Sequence, residues 1–112
     1  MKRGDVYLAA ARGAYTGKPR PVVIVQDDRF DASASVTVCP LTTTAVDAPL
    51  LRLTVDPDSA NGLTQVSHLM VDKLTTMPRA NLTDRLGRLP DEDMLRLGRA
   101  MVVFLGVAGS AA

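Results

Sequence analysis

Val22-Val23-Ile24-Val25 is an unbroken run of β-branched residues, and it follows directly on Lys18-Pro19-Arg20-Pro21. Such side chains favour extended backbone, and an apolar run without alternation fits a central strand covered on both faces. The two prolines add a second constraint. Each fixes φ and lacks a backbone donor, so Arg20 is held extended at the mouth of the strand. A guanidinium held in that way suits a phosphate.

A chain of 112 residues supports one domain with one core. Residues 1–108 are expected to form it, and Gly109-Ser110-Ala111-Ala112 to be a disordered tail. With 46% hydrophobic and 22% charged residues, the balance is that of a globular protein rather than a disordered one. The longest apolar stretch, residues 100–108, is about half of what a bilayer crossing needs. Met1-Lys2-Arg3-Gly4-Asp5 is no signal-peptide start, so a cytoplasmic location is expected, with no membrane partner. Cys39 is the sole cysteine, which excludes an internal disulfide and a multi-cysteine zinc site and reads as a small apolar core residue. The net charge of +1 says little, but its distribution says more. Between residues 12 and 26 the charged side chains are Arg12, Lys18 and Arg20, whereas Asp56, Asp58, Asp91, Glu92 and Asp93 crowd two later segments. A local basic patch near the N-terminal side follows.

The periodicity is β for two-thirds of the chain and helical at the end. Strands are expected over 4–10 and 22–25, over 36–39 where Pro40 stops the run, over 51–55, over 66–72, and over 85–89. Residues 13–18 form a glycine-containing loop, and Asp56-Pro57-Asp58 and Asn61-Gly62 are turn signals. From Pro90 the pattern changes: acids at 91–93 suit a helix N-terminus, and Met94, Leu97, Met101 and Leu105 share one face up to Gly106. Many short strands and one terminal helix imply a small, strongly curved β-barrel. The helix is apolar nearly all round from Ala100 to Leu105, so a second copy of the chain is expected to cover it.

Several blocks together resemble the MazF/PemK/Kid toxins, actinobacterial members in particular. They are Arg3-Gly4-Asp5-Val6-Tyr7, the stretch from Arg20 to Asp28, Val38-Cys39-Pro40-Leu41-Thr42, the stretch from Ser67 to Asp72, and Asp84 to Leu89. They occur in the family's order and cover nearly the whole chain. The resemblance implies an SH3-like barrel of the CcdB/PemK type, a homodimer, and a cognate MazE-like antitoxin that blocks the RNA groove. It also implies a growth-inhibiting ribonuclease that cuts single-stranded messenger, ribosomal or transfer RNA without metal or other cofactor. The family's catalytic arginine falls on Arg20 and its catalytic hydroxyl on Thr42. Lys18, Thr43, Asp72 and Lys73 are the candidate RNA contacts. Thr43 and Thr44 also read as a turn in which hydroxyls cap the backbone. The chain departs from the family at Met70 and Thr75, where some members carry an arginine, which leaves Arg20 as the well-placed cation.

The remaining chemistry-bearing residues have simpler readings. His68, the single histidine, lies among Val66, Leu69 and Val71 and reads as a packed or surface residue. Asp27, Asp28 and Asp31, and the acids at 91–93, read as a loop and a helix first turn rather than metal ligands. Two other classes share the fold: a CcdB-like gyrase-binding toxin and a catalytically silent SH3-like module. The absence of tryptophan counts against the first, and the presence of both Arg20 and Thr42 counts against the second.

Overall fold

A computed structural model describes residues 1–10, 18–107 and 109. The loop expected at 13–18 lies outside these residues except for Lys18, and the expected tail except for Gly109. Seven strands run in chain order: β1 (Asp5–Ala9), β2 (Arg20–Ile24), β3 (Ser35–Thr42), β4 (Arg52–Val55), β5 (Ser67–Met70), β6 (Thr75–Pro78) and β7 (Leu82–Arg88). One helix, α1 (Asp91–Phe104), follows. All pairings are antiparallel, in the order β4-β5-β3-β2-β1-β7, with β6 also on β3.

Residues Val22 to Val25 are at most 3% exposed, as the unbroken run predicts. Alternate side chains enter two different cores. Val23 and Val25 join Cys39, Leu41, Leu69 and Leu97 under α1, while Val22 and Ile24 join Val36, Val38 and Leu82 on the other side. Burial of each such side chain contributes about 1.5–3 kcal/mol, so β2 is fixed from both faces.

β3 corrects the expectation that Pro40 stops a strand. The strand runs through it to Thr42: Ser35–Val38 pair with β6, and Leu41 and Thr42 pair with β5. Pro40 falls in the gap between those two pairings, where a residue without an N–H disturbs a ladder least. One strand thereby serves two sheets and turns the corner between them. β5 ends at Met70 and gives way to a 3-10 turn over Val71–Lys73, so it is shorter than the expected 66–72. β7 starts at Leu82, earlier than expected, with register shifts against β1 on either side of Tyr7. β6 was not foreseen, because Thr75, Thr76 and Pro78 are exposed and carry no apolar alternation.

α1 begins behind Pro90, which stands at the N-cap rather than in the first turn; its carbonyl accepts the N–H groups of Asp93 and Met94 at 3.0 and 3.1 Å. It ends as expected at Gly106, whose φ of +71° lets Val107 donate to Val102 and Gly106 to Val103. Met94 and Leu97 are buried, but Leu105 is 56% exposed, so the core-facing stripe stops a turn early. Val102, Val103, Phe104 and Val107 are exposed with it. Ala48, Pro49, Leu50 and Leu51 stand opposite Ala100, Val103 and Phe104 across an apolar hollow of about 400 Å³. No helix among the described residues is long and apolar enough to cross a membrane.

Candidate active site

The start of β2, the end of β3 and the start of β5 meet at one end of the molecule. Val22 pairs with Pro40, and continuing that register by two residues sets Arg20 opposite Thr42. The two residues line one groove of about 440 Å³ with Lys18, Pro19, Pro21, Leu41, Thr43, Thr64, Gln65 and Ser67. Among the described residues, two cations, several hydroxyls and one amide face this space, and no carboxylate does. An anion would therefore meet donors and no like charge.

Arg20 is exposed, and among the described residues no carboxylate pairs with it. Its backbone pairs with Ala9 of β1, two residues before β2 begins its pairing with β3 at Val22. The Thr42 hydroxyl oxygen accepts the Thr44 N–H at 3.2 Å. That bond occupies a lone pair and leaves the hydroxyl proton to donate into the groove.

Thr64 and Gln65 form the opposite wall, and their loop is built around buried Asn61. The Asn61 side-chain oxygen accepts the N–H groups of Asp58 and Leu63 at 3.1 and 2.9 Å, and its amide donates to the Asp56 carbonyl at 2.9 Å. Gly62 has φ +71° and lies against the Leu86 carbonyl, where a Cβ would collide. Past Thr64 and Gln65, a second hollow of about 270 Å³ is lined by Leu8, Leu63 and Leu86. The groove thus has a charged half and an apolar half.

Of the six candidate residues, Lys18, Arg20, Thr42 and Thr43 converge here. Asp72 and Lys73 do not: they lie on the 3-10 turn over Val71–Lys73, and Asp72 pairs with the largely buried Arg52. Thr64 and Gln65 were missed, because a turn signal at Asn61-Gly62 marks a loop without saying which wall it builds.

The other reactive residues are accounted for locally. Burial pushes the Cys39 thiol up to about 12. Asp27 accepts the Arg29 N–H at 2.9 Å, Asp28 the Arg3 N–H at 2.7 Å, and Asp31 pairs with Lys2 at 2.6 Å. Among the described residues no three metal-ligating side chains gather. His68 is half-buried, with Nδ1 3.2 Å from the Thr54 hydroxyl.

Comparison with known proteins gives a consistent result. The profile of the "PemK-like, MazF-like toxin of type II toxin-antitoxin system" family matches residues 2–105. The chain is 66% identical over 109 residues to the probable endoribonuclease MazF of Mycolicibacterium smegmatis, covering 97% of this chain and all of that protein. The fold is similar to that of the Mycobacterium tuberculosis toxin MazF-mt6, with a TM-score of 0.76 at 27% identity, covering 90% of this chain and 95% of that one. It is also similar to an endoribonuclease in complex with its cognate antitoxin from a mycobacterial species. That match has a TM-score of 0.79 at 26% identity and covers 96% of both chains.

Proposed function

The chain belongs to the PemK-like, MazF-like toxins of type II toxin–antitoxin systems and is an endoribonuclease of that family, and from this premise we propose that Arg20 and Thr42 are its catalytic pair. The observation that carries the proposal is their meeting across β2 and β3 in a groove that faces no carboxylate toward its occupant. The ribose 2′-hydroxyl attacks the adjacent phosphorus of single-stranded RNA and gives up its proton to solvent water or hydroxide. The 2′-oxygen–phosphorus bond forms, the bond to the 5′-oxygen breaks, and the departing oxygen takes a proton from water. The products are a 2′,3′-cyclic phosphate and a 5′-hydroxyl. Negative charge builds on the phosphorane oxygens, where the Arg20 guanidinium and the Thr42 hydroxyl donate. This chemistry asks for no metal. Lys18 and Thr43 contact the strand beside the scissile phosphate. Lys73, exposed on its turn, attracts RNA from outside the groove, and Asp72 holds Arg52 in place.

The same groove is where a cognate antitoxin competes with RNA, offering an acidic or apolar segment to its two halves. A second copy of the chain covers the exposed end of α1, and the protein works in the cytoplasm. Incubating purified protein with total RNA in EDTA and sequencing the new 5′-hydroxyl ends tests enzyme, chemistry and specificity together. Arg20→Ala is expected to lower the cleavage rate by about 10²–10³ and to abolish growth inhibition. A folded Arg20→Ala protein cutting at the wild-type rate would overturn the assignment.

A further inference from the structure

His68 is read from sequence as a bystander, yet the sheet sets it beside the catalytic pair. Thr42 on β3 is the direct register partner of His68 on β5, and His68 is the direct partner of Thr54 on β4. Directly opposite residues of antiparallel strands share one face, with Cβ atoms about 5 Å apart. Thr42, His68 and Thr54 therefore form one row across three adjacent strands, each step about 4.8 Å, and continuing the β2–β3 register beyond Val22 and Pro40 brings Arg20 to its end. The face opposite to this row, at Leu41, Leu69 and Val55, is the core. Of this row, Arg20 and Thr42 line the groove, and His68 stands next to Thr42 on the β4 side of it.

The imidazole is also oriented. Its Nδ1 meets the Thr54 hydroxyl at 3.2 Å, and among the described residues its Nε2 has no protein partner. When Thr54 donates to Nδ1, the neutral ring carries its proton on Nε2, and a protonated ring carries one there as well. With Thr54 as donor, or with the ring protonated, Nε2 is a donor directed away from the anchored side. The charged groups nearest this row are Arg52 with Asp72, from β4 and the 3-10 turn, and Arg96 of α1, which donates to the Thr54 carbonyl at 3.2 Å. Arg52 is paired with Asp72 and Arg96 with Asp93 at 2.8 Å, so neither neutralises the imidazole's occupant in its place.

We infer that His68 is a substrate-contacting residue, whose Nε2–H binds the RNA phosphate next to the one held by Arg20 and Thr42, so that the strand leaves the catalytic pair across β5 toward β4. This rests on the ribonuclease reading above and extends it by giving the RNA a direction.

The test uses an oligonucleotide carrying the cleaved sequence, with each phosphate flanking the scissile one replaced in turn by a neutral methylphosphonate. His68→Ala is expected to raise KM about tenfold with kcat little changed, and His68→Gln, which keeps a donor, to recover most of the loss. At one flanking position the methylphosphonate should weaken wild type and leave His68→Ala indifferent; a merely structural histidine would show equal losses in both proteins. Circular dichroism and thermal melting establish that the variants fold. If wild type cuts RNA and His68→Ala matches it in KM, or shows no coupling to either phosphate, the inference falls while the ribonuclease reading stands. If wild type cuts nothing in EDTA, it is that reading that fails.

Discussion

The proposed chemistry rests on a single hydroxyl and a single guanidinium, and their neighbours decide how each is presented. Thr42 accepts the Thr44 N–H, which leaves its proton as the donor. Removing that donor is expected to cost about 2.7–4 kcal/mol of transition-state stabilisation. Single-turnover cleavage by Thr42→Val should therefore fall about 10²–10³ with the melting temperature nearly unchanged, while Thr42→Ser stays within about tenfold of wild type. Equal rates for Thr42→Val and wild type would remove the hydroxyl from the mechanism. Arg20 is legible in the sequence because two prolines hold it at the start of a strand, whereas Thr42 enters only through the family resemblance. Gln65 is not legible, since its place depends on buried Asn61 and on Gly62 fitting against a carbonyl more than 20 residues further on, at Leu86. Asp72 reads from sequence either as a site residue or as half of a salt bridge, and its partner Arg52 on β4 is seen only in the fold.

The elements are tied together by a few polar contacts as well as by the two cores. Asp5 of β1 is buried and meets Arg85 of β7 at 3.2 Å and Arg88 at 3.5 Å, while its other oxygen accepts the Lys2 N–H at 2.8 Å. Burial alone would raise its carboxyl, but the Lys2 N–H and the Arg85 guanidinium outweigh it and hold the group below an ordinary aspartate's 3.8. The folded state thus binds this proton more weakly than the unfolded chain does. Its contribution is complete above an ordinary aspartate's titration and is lost as pH falls through the lower folded value. Asp5→Asn is expected to cost about 1–3 kcal/mol at pH 7, with the difference from wild type shrinking toward pH 2; urea unfolding across that range checks it, and a pH-independent difference would refute it. Which elements exist was largely readable, because β2, β4 and α1 carry clear apolar periods. The reach of β3 through Pro40 and the whole of β6 were not, since both depend on which strand lies alongside and not on local pattern.

At the scale of the molecule, the striking imbalance is between a closed centre and an open end. Leu50 is 76% exposed and Val103 69%, on the two sides of the apolar hollow. A patch of that kind is the usual mark of an interface. The wild-type protein is expected to sediment as a dimer at micromolar concentration, and Val103→Asp as a monomer, because a charge at a covered apolar contact is left unpaired. Val103→Asp sedimenting as wild type would place the interface elsewhere. The sequence already signals this surface in the all-round apolar stretch from Ala100 to Leu105, but how far the domain's own core reaches along α1 is legible only once Leu97 and Leu105 are seen to differ in burial.

The strand that carries Arg20 has no solvent face behind its first two residues, since its alternate side chains are shared between both cores. Local breathing, which lets many binding sites adapt to their ligands, would here have to open the whole interior. The arginine therefore leads directly into a backbone that can yield little, and fitting of toxin to RNA falls to the opposite wall and to the RNA itself.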